Sequence, residues 1–344
     1  MLPTYVWDPT TTDSQSKVRG IGRYMQMLHA CFDDRFHFVS DLSRVPFESV
    51  LIHPFFNLLQ SPGLPLRRAK IQIAVVHDII PYKYPRHFPS GTKGRVRTLI
   101  NKLDLKNYQA IITPSFAVKE DLTNILRIPS TKVHAIYSGI THDPAPRDIS
   151  DHIQHMTQTP YVLYVGDVTW NKNIARLAAA VNNLPINMVW VGRAFTTTPN
   201  KDDPWQAEFA HWKARTYRNK RSFTPGFVTD QELAYLYSHA VCNALVSHDE
   251  GFGYSYAEAA LHSCPSVLSD IAVFHETAQT TALFANPRDE EAIGRCIKQY
   301  VRDEKMRHQM GSAARARVGK FTHEQFEKQV SALVHALQLP KLGK

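Results

Sequence analysis

Two carboxylates and two glycines crowd one short stretch, Glu250-Gly251-Phe252-Gly253-Tyr254-Ser255-Tyr256-Ala257-Glu258. The preceding Ala240-Val241-Cys242-Asn243-Ala244-Leu245-Val246, apolar but for Asn243, reads as a buried strand bounded by the polar Ser247-His248-Asp249. Tyr256 to Leu261 reads as a helix. A strand, a glycine loop and a helix start, in that order, present backbone N–H groups and a positive dipole end to a ligand, which suits a phosphate. Glu250 falls at the loop mouth and Glu258 on the first turns of the helix. Phosphate repels carboxylate, so these two acids are better suited to neutral hydroxyls beside it, as on a sugar. Taken alone, a pair of glutamates at this spacing is also what an ordinary strand–helix turn carries.

Other residues could complete such a site. Gly166-Asp167-Val168-Thr169-Trp170-Asn171-Lys172-Asn173 follows the apolar run Tyr161 to Val165, and Lys172 could grip phosphate charge there. Gly20-Ile21-Gly22-Arg23-Tyr24 follows the first apolar run and opens a helical stretch, where glycine lets a backbone approach a ligand closely. His77-Asp78 closes the run Ile71 to Val76 and is followed by Ile79-Ile80-Pro81 and Tyr84-Pro85. The bland alternative for His77 is a buried imidazole satisfied by backbone. Ser115 reads first as a helix N-cap. Phe227 and Val228 lie in the turn text Pro225-Gly226-Phe227-Val228-Thr229.

The pattern E-G-F-G-x-x-x-x-E, with Ser263-Cys264-Pro265-Ser266-Val267 and Ser269-Asp270-Ile271 behind it, resembles the retaining family-4 glycosyltransferases of the GT-B fold. The wording H-D-x-I-P-x-x-Y-P at His77 is similar to a subgroup containing many mannosyltransferases of bacterial surface polysaccharide and O-antigen assembly. The resemblance implies Glu258 on a nucleotide ribose, Glu250 on a donor hexose, Lys172 on the donor diphosphate and His77 near the anomeric centre. It also implies donor contacts from Gly20, Gly22, Gly166, Phe227, Val228, Gly251, Phe252, Gly253 and Tyr254. In that family a second cation usually precedes the lysine, but here Asp167 stands in its place, so either Lys172 with the helix N-termini suffices or another cation, such as Arg193 or an arginine of the first domain, substitutes. No D-x-D text is seen, since Asp202-Asp203 reads as a surface loop, so no metal and no cofactor are expected. The implied partners are a nucleotide sugar donor, GDP-mannose favoured over UDP-sugars and dTDP-rhamnose, and a glycan or polyprenyl-diphosphate-linked acceptor. A non-catalytic protein that binds sugar nucleotides is the rival from another class.

Alternation of short apolar runs with helical stretches requires α/β architecture, here two doubly wound Rossmann-like domains. In the first half Tyr5 to Trp7, Val50 to Ile52, Ile71 to Val76, Ala110 to Thr113 and Val133 to Tyr137 read as strands, with Ile21 to Phe32 and Phe116 to Leu126 as helices. In the second half Tyr161 to Val165, Met188 to Val191, the Cys242 segment and Ser266 to Leu268 read as strands, with Ile174 to Val181 as a helix. Between Thr141 and Thr159 the text is polar and irregular, with Pro144 and Pro146. The expected domains are therefore 1–150 and 151–325, with a helix over 326–344 that the resemblance packs back onto the first domain. Doubly wound domains bind at the carboxyl ends of their strands, predicting a cleft between the two. Thr229 with Glu232, and Thr322 with Gln325, read as capping boxes.

A length of 344 residues exceeds the usual single-core limit, which supports two domains. Hydrophobic content of 43% beside 21% charge is globular and argues against disorder. The N-terminal text has no basic and apolar leader, and no apolar run approaches bilayer thickness, so a cytoplasmic protein is expected. Cys31, Cys242, Cys264 and Cys296 are widely spaced without a metal-ligand pattern, as reduced thiols would be. The net charge of +9 is concentrated in clusters, one of them Lys93-Arg95-Arg97-Lys102-Lys106. That cluster shares a helical segment, Ser90 to Asn107, with Val96, Leu99, Ile100 and Leu103 on one face. It reads either as a peripheral contact with an anionic membrane or as a solvated helix with a core face. No aromatic-interleaved basic strand is present, so nucleic acid is not an expected partner.

Overall fold

Each half of the chain builds its own six-stranded parallel sheet. The structure is a computed structural model and describes residues 1–8, 20–60, 67–140 and 148–340. The first unit comprises β1 (Thr4–Trp7), α1 (Gly20–Phe32), β2 (His37–Val39), β3 (Val50–His53), β4 (Ile71–Val75), α2 (Ile80–Lys83), α3 (Gly91–Leu105), β5 (Ala110–Thr113), α4 (Phe116–Asn124) and β6 (Val133–Ala135). Its sheet order is β2-β1-β3-β4-β5-β6. The inner strands β3, β4 and β5 are buried at every residue, as expected for parallel strands covered on both faces.

The second unit holds α5 (Asp151–Met156), β7 (Tyr161–Val165), α6 (Ile174–Asn182), β8 (Asn187–Val191), α7 (Ala207–Thr216), β9 (Ser222–Phe223), α8 (Asp230–His239), β10 (Cys242–Leu245), α9 (Tyr254–Leu261), β11 (Ser266–Ser269), α10 (Ala272–Ala278), β12 (Leu283–Ala285), α11 (Glu290–Arg302) and α12 (Glu304–Val318). Its sheet order is β12-β11-β10-β7-β8-β9. The chain thus winds one way through β7, β8 and β9, then returns to start the other way at β10. The junction of β7 and β10 is a topological switch point, where crossover connections diverge and leave a crevice at the strands' carboxyl ends.

The last helix, α13 (His323–Gln338), belongs to the first unit. Its Phe326, Val330, Leu333 and Val334 join a core with Tyr24, Met25 and Leu28 of α1 and Val6, Ile52 and Ile73 of the sheet. The return is tied by Ile140 N donating to Phe321 O at 2.8 Å. The first unit accordingly closes at Ile140 rather than at 150, and the second also takes in Arg86–Pro89, whose His87 stacks on Trp170 at 3.8 Å. Pro144 and Pro146 lie outside the described residues. Just beyond them the chain is not irregular, because α5 buries Ile153 and Met156 in the second unit's core.

Three strands have no counterpart in the sequence reading: β2, β9 and β12. They are two or three residues long and lie at or beside sheet edges, where half-burial erases the apolar run that marks a strand. Thr229 and Glu232 form both halves of a capping box, and Thr322 caps α13 by accepting from Gln325 N. Ser115 is an N-cap, its Oγ accepting from Val118 N at 3.2 Å. Asp203 caps a short turn by accepting from Trp205 N, which accounts for one of the two acids at 202–203.

A correction concerns α3. The face carrying Val96, Leu99, Ile100 and Leu103 is not a core face, since these side chains are 58%, 61%, 43% and 56% exposed. The helix instead buries Gly94, Asn101 and Leu105. Asn101 Nδ2 anchors it, donating to the carbonyls of Asn57, Leu58 and Gln60 at 3.2, 2.9 and 2.9 Å. Among the described residues no helix is long and apolar enough to cross a membrane.

Candidate functional site

Lys172 and Glu250 meet at the switch point of the second sheet. Lys172 sits in the turn after β7 and Glu250 in the loop after β10, and Nζ lies 2.6 Å from Oε1. Glu250 is buried, and Ser247 Oγ donates to the same oxygen at 2.7 Å, fixing the carboxylate. Two asparagines sew the loops together. Asn173 Nδ2 donates to the carbonyls of Val246 and Pro287 at 2.8 and 2.7 Å, and Asn171 Nδ2 donates to Asp249 O at 3.2 Å. His248 N closes the seam by donating to Asn171 O at 2.7 Å. Asn173 adopts φ +55°, a left-handed turn that asparagine tolerates better than most residues, and that turn starts α6. A cation and a carboxylate from neighbouring strands are therefore held by a polar frame rather than by their own flexible stems.

The two helices that start at this junction differ. Glu208 Oε1 accepts from Ala175 N at 2.8 Å, so an acid of the chain already caps α6. Burial pushes the Glu208 carboxyl above its ordinary range, with the Ala175 amide opposing. The N-cap residue of α9 is Gly253 at φ +89°, which carries no side chain to cap the first turn. A helix start whose N-cap is a glycine lets a ligand approach the backbone closely, and its dipole end suits an anion. The glycine is required: a Cβ at 253 would lie 2.6 Å from Phe274 Cε1.

Glu258 is on the second turn of α9, buried, with Tyr237 Oη donating to its Oε2 at 3.2 Å. Tyr237 lies on α8 and gave no sequence signal beyond its place in an apolar helix. Phe252 is only 3% exposed, so its ring belongs to the core and only its backbone can face a ligand. Tyr254 is half-buried at the first position of α9. Gly166 follows β7, its N–H donating to Val191 O at 3.0 Å, and a Cβ there would meet Tyr164 Oη at 2.8 Å. Asp167 is exposed, with Oδ1 accepting from its neighbour Val168 N. Arg193 is exposed in the turn after β8. Phe227 is 78% exposed, while Val228 packs against the second unit's core. Trp170, which no sequence pattern marked, is sandwiched between His87 at 3.8 Å and His248 at 4.7 Å. Beside these loops opens a cavity of about 370 Å³ lined by Trp170, Asn173, Arg176, Glu208, His211 and His248 among others, with neither Lys172 nor Glu250 in its wall.

In the first unit, Gly20 and Gly22 lie inside the first turn of α1, and the loop that would precede them falls at residues outside the described ones. His77 follows β4, partly buried, packed edge-on against Tyr24 at 4.7 Å and near Phe55 at 5.4 Å. Its Nε2 lies 2.9 Å from Pro54 O. A carbonyl only accepts, so Nε2 carries the proton and Nδ1 is left as the acceptor. Burial pushes the His77 pKa down to about 4, the Pro54 bond opposing it, so the ring is neutral at pH 7.

His53 and His248 are likewise pushed down to about 4, chiefly by burial. The unfolded chain takes up those protons near pH 6.5 while the folded chain refuses them until about pH 4. Stability is therefore complete above pH 6.5 and falls as pH drops through that window. By pH 5 each buried imidazole costs about 1–2 kcal/mol. Thermal melts should show a clear loss between pH 7 and pH 5, smaller in His53→Phe. Equal midpoints at the two pH values would mean these rings are not held neutral.

The family described as "Glycosyl transferases group 1" matches residues 147–317, and "Glycosyltransferase Family 4" matches residues 49–144. The O-antigen chain mannosyltransferase RfbU of Salmonella typhimurium is 31% identical over 233 residues, 66% of this chain and 60% of that protein. The match thus spans less than two thirds of that relative's length. O-antigen chain mannosyltransferase B of Escherichia coli is 24% identical over 75% of this chain and 68% of its own length. Among solved structures, HepE of Anabaena in complex with UDP-glucose superposes with a TM-score of 0.73 at 15% identity, covering 98% of this chain and all of that one. Sucrose-phosphate synthase from Thermosynechococcus elongatus gives 0.67 at 19% identity over 84% of this chain and 73% of that one.

Proposed function

This chain belongs to the family-4 glycosyltransferases, with the GT-B fold, and on that premise we propose that it moves mannose from GDP-mannose to a glycan or lipid-linked glycan acceptor. The observation that carries the reading is the Lys172–Glu250 pair at the switch point, beside the glycine-started N-terminus of α9. The choice of mannose draws on relatives named as O-antigen mannosyltransferases.

In the proposed reaction the acceptor oxygen bonds to the anomeric carbon on the face the diphosphate leaves. The carbon–oxygen bond to phosphate breaks, and a leaving phosphate oxygen takes the acceptor proton. Configuration is retained, and no enzyme nucleophile is needed. Negative charge grows on the diphosphate as the bond breaks, so fixed positive groups aimed at it lower the barrier. Lys172 and the α9 dipole are those groups. Donor binding places Lys172 between Glu250 and phosphate, and Glu250, oriented by Ser247, receives a hexose hydroxyl. Glu258, oriented by Tyr237, receives the ribose hydroxyls. Neutral His77 offers Nδ1 to a donor-sugar hydroxyl.

A thermal-shift panel with GDP, UDP and dTDP, then the matching sugar nucleotides, tests donor and ribose assignments together. GDP and GDP-mannose should raise the melting temperature, and Glu258→Ala should weaken GDP by about tenfold or more, the scale of one lost charge-assisted hydrogen bond. Stabilisation by UDP alone would move the donor to a UDP-sugar. Indifference to every nucleotide would replace catalysis with a non-catalytic role.

A further inference from the structure

The exposed face of α3 is built for a surface that is apolar and negatively charged at once. At about 100° per residue, Val96, Leu99, Ile100 and Leu103 form a stripe about 100° wide. All four are more than 40% exposed. The buried residues Gly94, Asn101 and Leu105 project from the opposite side, so the helix is docked by the Asn101 hydrogen bonds and by Leu105, and presents a second apolar face to solvent. Contiguous exposed apolar side chains mark interaction surfaces.

Cations line both margins of the stripe. Lys93 and Arg97 project on one side, Arg95, Lys102 and Lys106 on the other. Among the described residues, Lys93, Arg95, Arg97 and Lys106 enter no ion pair, whereas Lys102 leans on Tyr82, its Nζ 5.6 Å from the ring centroid. Asp104 is the one acid on the helix and is half-buried. An apolar stripe between two basic rows lets aliphatic tips enter an acyl layer while Lys and Arg stems snorkel to anionic headgroups. A protein groove would need to be acidic along both margins and apolar between them, whereas an anionic bilayer offers that pattern everywhere. We propose that α3 lies flat on the membrane surface and docks the first unit to anionic lipid. The inference stands on this face alone and does not depend on the transfer reaction.

Co-sedimentation with vesicles of mixed phosphatidylglycerol and phosphatidylcholine, against phosphatidylcholine alone, tests it on the full chain without any sugar nucleotide. Wild type should sediment with the anionic vesicles only, and high salt should release it. Leu99→Ser/Leu103→Ser should weaken binding by about tenfold or more, as should Arg95→Gln/Arg97→Gln. Arg315→Gln/Lys320→Gln removes the same charge from exposed positions of the second unit and should change it little. Equal binding by wild type and the serine variant would overturn the proposal. So would equal loss in the Arg315/Lys320 control, which would make the attraction a property of net charge. A wild-type dimer by sedimentation velocity that the serine variant lacks, with no lipid binding, would assign the face to a second copy of the chain instead.

Discussion

Lys172→Ala is expected to lower transfer about a hundred- to a thousandfold in kcat, the scale seen when one fixed electrostatic stabiliser of a developing anion is removed. The substitution has two consequences that must be separated. It removes the cation assigned to the leaving diphosphate, and it leaves the buried Glu250 with Ser247 as its remaining side-chain partner. Breaking one side of a buried pair costs several kcal/mol in dry interiors. With Lys172 itself 21% exposed, about 1–2 kcal/mol is the expected size here. Glu250→Ala should lose transfer comparably, since hexose placement goes with the carboxylate. The double variant Lys172→Met/Glu250→Gln distinguishes the roles. Removing both charges should restore the melting temperature towards wild type while leaving transfer lost. Recovery of stability and transfer together would reduce the pair to a structural tie between two loops.

Gly253→Ala should lower stability by about 2–4 kcal/mol and abolish nucleotide-induced stabilisation. Two penalties combine. At φ +89° a side chain is strained by roughly 1–2 kcal/mol. The added Cβ would also lie 2.6 Å from Cε1 of the fully buried Phe274, and overpacking of this kind costs roughly 1–3 kcal/mol. Relief requires either Phe274 or the start of α9 to move, and moving α9 carries Glu258 away from Tyr237. Gly294→Ala is the matched control. It lies inside α11, and its nearest neighbour, Ala180 O, is at 3.6 Å, an ordinary contact. There alanine should stabilise by up to about 1 kcal/mol through helix propensity and the unfolded chain. Melting curves of the two variants should shift in opposite directions. A Gly253→Ala variant that melts with wild type and still responds to nucleotide would refute the close-approach argument for this loop.

The chain's own text determined much of this. Continuous apolar runs such as Tyr161 to Val165 are satisfied only by burial on both faces, so parallel sheets and two α/β units follow from periodicity. Glycines at 251 and 253 between a strand and a helix announce a tight strand-to-helix turn, because strand–glycine–helix is a local geometry and local geometry is written in adjacent residues. The capping residues Thr229 and Ser115 were legible for the same reason. What needed the tertiary structure was every relation between distant segments. Lys172 and Glu250 are 78 positions apart and form a pair only because β7 and β10 are neighbours at the turning point of the winding. Tyr237 becomes the partner of Glu258, and Glu208 the cap of α6, through packing that no local pattern encodes. The orientation of α3 shows the limit most clearly. Its periodicity defines an apolar face, but periodicity is silent on which face meets the protein. That was decided by Asn101 finding three carbonyls in the 57–60 loop, a set of hydrogen bonds that exists only once the chain has folded.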